Sequence, residues 1–142
     1  MSDGPAPGAG RLVLHVDGGA RGNPGPAAIG VVIEDGDGNR VDDIAEQIGV
    51  ATNNVAEYRA LLRGLERAAE LGARELEVIN DSELVAKQVT RVYKVKHPAM
   101  RPLFEEATER FGAFERWSIR SVPRAENAEA DALVNAALDG LR

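Results

Sequence analysis

The sequence predicts an α/β domain: a mixed five-stranded sheet flanked by helices. Three observations carry the prediction. Residues 11–48 contain successive stretches of strand-type alternation, the hydrophobic spacing lengthens to a helical period at Val55, and beyond Gly72 strands and helices alternate. Strands in series followed by helix–strand alternation imply an antiparallel meander, extended by parallel strands through right-handed crossovers and covered by helices.

The elements follow in order. Arg11 to Asp17 places Leu12, Leu14 and Val16 on one face and Val13, His15 and Asp17 on the other, so both faces are partly apolar and the strand is central. Ala27 to Glu34 is a Val/Ile-rich second strand; Asp35-Gly-Asp-Gly-Asn39 turns the chain tightly, and Arg40 to Ile48 returns as a third. Val55, Tyr58, Leu61, Leu62, Leu65 and Ala69 then mark a helix of about 18 residues, capped by Asn53 or Asn54 and closed by Gly72. Glu75 to Ile79 is a fourth strand, and Ser82 to Val89 a helix capped by Asp81 or Ser82. Pro98 to Phe111 reads as a helix with proline in its first turn, Trp117 to Val122 as the fifth strand, and Asn127 to Leu138 as a last helix capped by Asn127.

Composition bounds the function. At 142 residues, 44% apolar and 28% charged, the chain fits one globular domain able to bury its own core. No apolar run is long enough to span a membrane. Residues 1–10 are rich in Gly, Pro and Ala, lack the pattern of a signal peptide and read as a flexible leader, leaving 11–142 as the domain. The absence of cysteine excludes disulfides and thiolate metal sites and points to a reducing cytoplasm. A monomer is expected. The net charge of −6 argues against a nucleic-acid partner until its distribution is read: Leu84 to Phe104 holds Lys87, Arg91, Lys94, Lys96 and Arg101 and no acid. That window carries +5 and the remainder −11 (−6 less +5), a cationic strip on an acidic body that suits a phosphate backbone as well as it suits a solvated helix face.

Four carboxylates stand where strand ends and helix starts converge beyond an open sheet: Asp17, Glu57 in the first turn of the long helix, Asp81, and Asp131 one turn into the last helix. Taken singly, Asp81 is more simply a helix cap, and Glu57 and Asp131 are acids favoured by a helix dipole. Asp17 resists such a reading, because a charge ending an apolar strand is costly without a partner. Together, four converging carboxylates need cations, and an all-oxygen donor set favours Mg²⁺ or Mn²⁺. Two such ions suit in-line displacement at phosphorus. Asp35-Gly-Asp-Gly-Asn-Arg40 with Glu46 echoes a calcium loop, but Arg40 stands where glycine is needed and strands flank it.

These residues also carry a family resemblance. Asp17-Gly-Gly-Ala-Arg-Gly-Asn-Pro-Gly-Pro26 resembles the opening motif of type 1 ribonuclease H; Thr52-Asn-Asn-x-x-Glu57, Asn80-Asp81-Ser82 and Asn127-x-x-Ala-Asp131 are similar to its second, third and fourth, in the family's order, over about residues 11–139. The resemblance implies the ribonuclease H-like fold with strand order 3-2-1-4-5, the first three antiparallel. It also implies two divalent ions held by Asp17, Glu57, Asp81 and Asp131, and endonucleolytic cleavage of the RNA strand of RNA–DNA hybrids to 5′-phosphate and 3′-hydroxyl ends. Gly18, Gly19 and Gly22 would let a minor groove approach the backbone, or simply form a tight hairpin. Asn23, Asn53 and Asn54 would meet sugars and base edges, Thr52 matches a position that holds a DNA phosphate, and Arg91, Lys94 and Lys96 would touch the DNA strand or form a plain surface loop. Gly64 would permit close helix packing under the site.

The chain departs from the family's pattern in three places. Pro123-Arg-Ala-Glu-Asn127 lacks the histidine that many members carry before the fourth aspartate, so either Arg124 substitutes as the auxiliary group or turnover differs. The long basic protrusion of some members is reduced to a short Lys/Arg stretch, and no separate hybrid-binding domain precedes the nuclease, so salt-sensitive binding is expected. Some relatives carry a C-terminal phosphatase domain, and a longer parent chain is compatible with a sequence ending just after its last helix. A catalytically silent nucleic-acid-binding module, and a superfamily relative acting on DNA, are the competing functions.

Overall fold

The structure, a computed structural model, describes residues 10–140. The leader expected over residues 1–10 therefore lies, apart from Gly10, outside the described residues. In chain order the elements are β1 (Arg11–Ala20), β2 (Gly25–Asp35), β3 (Arg40–Ala51), α1 (Asn53–Glu70), β4 (Glu75–Asn80), α2 (Glu83–Val89), α3 (Arg101–Phe111), β5 (Arg116–Ser121), a 3-10 turn (Arg124–Asn127) and α4 (Ala128–Asp139). The sheet runs β3-β2-β1-β4-β5. β2 is antiparallel to both β1 and β3, and β4 is parallel to both β1 and β5, as the element order predicts.

Strand alternation decides which side each helix covers. Leu12, Leu14 and Val16 of β1, Val31 and Ile33 of β2 and Val78 of β4 share one face and form the main core with Tyr58, Leu61 and Leu65 of α1 and Phe111 of α3. Gly64 allows this approach: a Cβ there would stand 3.1 Å from Leu14 Cδ1 and 3.2 Å from Val16 Cγ1. A smaller cluster of Ala28, Val134 and Leu138 seats α4 on the opposite face.

Local chemistry moves several expected boundaries. β1 continues past Asp17, because Gly18, Gly19 and Ala20 still pair with Ile29, Ala28 and Ala27. Thr52, not Asn53 or Asn54, caps α1: its hydroxyl oxygen accepts from Val55 N at 3.2 Å. The Asn53 side chain is committed elsewhere, accepting from Ala20 N at 2.9 Å. Glu57 is consequently the fifth residue of α1, past the first turn in which the sequence places it. Ser82, not Asp81, caps α2, accepting from Val85 N at 3.1 Å. α3 begins at Arg101 rather than Pro98, after a turn in which His97 Nδ1 accepts from Ala99 N at 3.1 Å. Asn127 makes no side-chain cap and closes the 3-10 turn that precedes α4. The Asp35 carboxylate accepts from Asp37 N at 2.9 Å and Asn39 N at 3.0 Å, so that acid closes a hairpin. Among the described residues no helix is long and apolar enough to cross a membrane.

Candidate active site

Two bare α-carbons around Asp17 let helices reach it. In β1 the next residue is Gly18, where a Cβ would collide with the carbonyl of Ala56, so α1 descends onto the strand and brings Glu57 with it. Across the β1–β2 pair Asp17 faces Gly30, where a Cβ would collide with the carbonyl of Ala130, so α4 settles beside Asp17 and brings Asp131. Asp81 follows Asn80 at the end of β4, the strand parallel to β1. The four acids expected from sequence thus line one open cavity of about 570 Å³, together with Gly18, Gly19, Asn53 and Arg124.

Electrostatics registers the convergence. Burial pushes the Asp17 carboxyl up to about 8, with Asp81, Asp131 and Glu57 adding repulsion. Burial likewise raises Glu57 to about 7, opposed by a hydrogen bond from Ser82 and aided by Asp81. Burial also raises Asp81, against the attraction of Arg124. Arg124 leans over the cluster from the 3-10 turn, its Nη2 donating to Asp131 Oδ1 at 3.1 Å. The acids are neighbours without yet being a cage: among the described residues no three His, Cys, Asp or Glu side chains form a ready metal-holding group.

The substrate-contact residues divide. Gly18 is buried and its missing side chain serves α1, whereas Gly19 remains half-exposed at the cavity. Asn23 Oδ1 accepts from Asn53 N at 3.0 Å, so the β1–β2 hairpin and the start of α1 are stitched together by Asn23 and Asn53. Their carbonyl oxygens are thereby used within the protein, and each has its NH₂ donors to offer a ligand. Asn54 is exposed beside them, with Thr52 half-buried. Arg91, Lys94 and Lys96 are exposed and line a different cavity, of about 540 Å³, with Tyr93, Arg101 and Phe104. Gln88 ties that loop to the core, its Nε2 donating to Lys94 O at 3.5 Å and its Oε1 accepting from the buried Tyr58 hydroxyl at 2.7 Å.

Two partners of the acids escape a reading of the sequence. Ser82 presents itself there only as a cap, yet its side chain also bonds Glu57. Asn135 Nδ2 donates to Asp131 Oδ2 at 3.4 Å, which the spacing of four residues on one helix face signals.

A family model described as reverse transcriptase-like matches residues 15–137. That match and the sheet order define a ribonuclease H-like domain. The chain is similar to RNase H1 from the halophilic archaeon Halobacterium salinarum, at 48% identity over 92% of this chain and 98% of that one, with a TM-score of 0.90. It is similar to the N-terminal RNase H domain of Rv2228c from Mycobacterium tuberculosis at 45% identity, 91% and 94% coverage and a TM-score of 0.88. LC11-RNase H1, solved in complex with an RNA/DNA hybrid, matches at 44% identity, 90% and 96% coverage and a TM-score of 0.86. The chain belongs to the type 1 ribonuclease H family. It spans 65% of the length of the curated Halobacterium ribonuclease HI and 36% of that of the mycobacterial bifunctional protein.

Proposed function

We propose that this chain is an endoribonuclease that hydrolyses the RNA strand of RNA–DNA hybrids, with Asp17, Glu57, Asp81 and Asp131 as its catalytic carboxylates. The observation that carries the reading is their delivery from β1, α1, the end of β4 and α4 into one cavity. The donor set fits hard divalent cations: all of it is carboxylate oxygen, and repulsion among the acids adds to the burial that raises Asp17 to about 8, a penalty that a cation relieves. Two Mg²⁺ or Mn²⁺ ions, when bound, would supply the positive charge that activates a water and steadies the leaving oxygen.

The protein's own groups do the rest. Rigid strand ends and helix turns hold the carboxylates in register. The water oxygen bonds to phosphorus as the P–O3′ bond breaks, leaving a 5′-phosphate on one fragment and a protonated 3′-hydroxyl on the other. Arg124, ion-paired to the half-buried Asp131 at 3.1 Å, takes the auxiliary place that the absent histidine leaves. Gly19, Gly22 and the NH₂ groups of Asn23, Asn53 and Asn54 face the hybrid, Thr52 at the start of α1 takes a DNA phosphate, and Arg91, Lys94 and Lys96 grip the DNA backbone. We take residues 11–142 as the catalytic unit, monomeric and cytoplasmic, with the C-terminal phosphatase arrangement as the form of a longer parent chain.

The test is cleavage of an end-labelled hybrid with Mg²⁺ or Mn²⁺, alongside DNA and RNA duplexes. RNA-strand cuts bearing 5′-phosphates are expected. Binding without cutting under either metal would identify a silent module instead, and preferred cutting of the DNA duplex a DNA-directed relative.

A further inference from the structure

We propose that Asn127 is a positioning residue, whose carboxamide ties the strand bearing Asp17 to the helix bearing Asp131 and so fixes the spacing of the metal-holding carboxylates. The inference rests on the hydrolase reading above. Asn127 is 2% exposed, and its Nδ2 donates to the carbonyl of Val16 at 2.9 Å. That bond sets the orientation of the amide, because a flip would oppose two oxygens. The β1–β4 pairing ends at His15 and Ile79, so Val16 lies just where the strands part and no ladder continues to hold them. Val16 immediately precedes Asp17, and Asn127 lies one helical turn before Asp131. A single hydrogen bond between residues 111 apart in sequence therefore couples two acids on separate elements.

A comparison within the site separates this role from simple strand-end closure. Asn80, beside Asp81, stands on the last rung of the β4–β5 ladder, opposite Ser121, and its Nδ2 also crosses to the neighbouring strand, donating to Arg120 O at 3.2 Å. Its Oδ1 is also used, accepting from Ser82 N at 2.6 Å. The Oδ1 of Asn127 is buried with no hydrogen-bond partner. A buried acceptor left unmatched costs stability, so Asn127 is a poor choice for holding a helix down and a sensible one for aiming it.

The experiment measures Mn²⁺ binding by calorimetry, with the metal alone, and steady-state cleavage of hybrid for wild type, Asn127→Ala and Ile33→Val. The last trims the core far from the acids and serves as the control for lost stability. For Asn127→Ala, Mn²⁺ affinity and kcat are expected to fall roughly 10–100-fold, the range seen when groups orienting metal ligands are removed, with KM little changed. Ile33→Val should melt earlier yet keep both values at a temperature where it is folded. Wild-type Mn²⁺ affinity and kcat in folded Asn127→Ala would overturn the proposal. Should Asn127→Ala not fold, Asn127→Ser is read by the same two criteria, and failure of both to fold would show the contact to be structural and equally overturn it. Wild-type protein that neither binds Mn²⁺ nor cuts hybrid would remove the hydrolase reading itself.

Discussion

The acid cavity and the basic strip are built in opposite ways. Asp17 stands in β1, Asp81 just past β4, and Glu57 and Asp131 on helices, all partly or wholly buried, and burial and neighbouring acids raise the cost of charging Asp17, Glu57 and Asp81. Arg91, Lys94 and Lys96 stand on the exposed connection between α2 and α3, their charges in water. A site that must hold geometry to fractions of an ångström belongs on regular elements, whereas a surface that only needs to attract a polyanion can sit on a loop. Chemistry should therefore fail sharply when one acid changes, and grip should weaken by increments.

The largest expected effect is on the acid side. Asp17→Asn should reduce hybrid cleavage to background in a single-turnover assay while circular dichroism stays native; near-wild-type turnover would remove Asp17 from the catalytic set.

The next prediction concerns pH. Asp17 and Glu57 have folded-state values of about 8 and about 7, above their ordinary 3.8 and 4.5, so between these limits the folded protein binds more protons than the unfolded chain. Their contribution to metal-free stability therefore falls as pH rises through that window. At about 1.4 kcal/mol per pKa unit the penalty at pH 8 is on the order of a few kcal/mol. Denaturation in chelator should find Asp17→Asn more stable than wild type at pH 8 and the gap closed near pH 4; a gap independent of pH would contradict the burial argument.

On the basic side, the double change Lys94→Ala and Lys96→Ala should raise KM about tenfold and leave kcat in place. It should also flatten the slope of log affinity against log salt by roughly 0.9 for each phosphate that is no longer neutralised. An unchanged slope would return the strip to an ordinary solvated surface. Smallest of all, Arg124→Ala should slow turnover by a few-fold, since its ion pair with Asp131 is largely exposed. An unaffected rate would show that the missing histidine has no replacement there.

Much of this is legible in sequence, and the exceptions have identifiable causes. Alternation in Leu12 to Asp17 and the ordered motifs place all four acids on the right elements, because burial patterns and strand ends are local properties. Glu57 falls one or two positions deeper in α1 than its sequence context suggests, since choosing among Thr52, Asn53 and Asn54 as cap depends on Ala20, which claims the Asn53 side chain from another element. Gly18 reads in sequence as a place for substrate, and only the approach of Ala56 shows that the missing Cβ makes room for a helix. The pairing of Tyr58 with Gln88, and of Asn127 with Val16, joins residues distant in sequence and leaves no periodic trace.

The short α2 has a consequence for any duplex that engages both regions. It runs from just after Asp81 to the start of the cationic connection in 7 residues, which at 1.5 Å per residue is a strut of about 10 Å. If the strip holds one phosphate while the acids cut another, as proposed, that length would set their separation along the duplex. Inserting a single residue would swing the strip about 100° around the strut, so on the proposed function it should uncouple holding from cutting while leaving both sets of side chains in place.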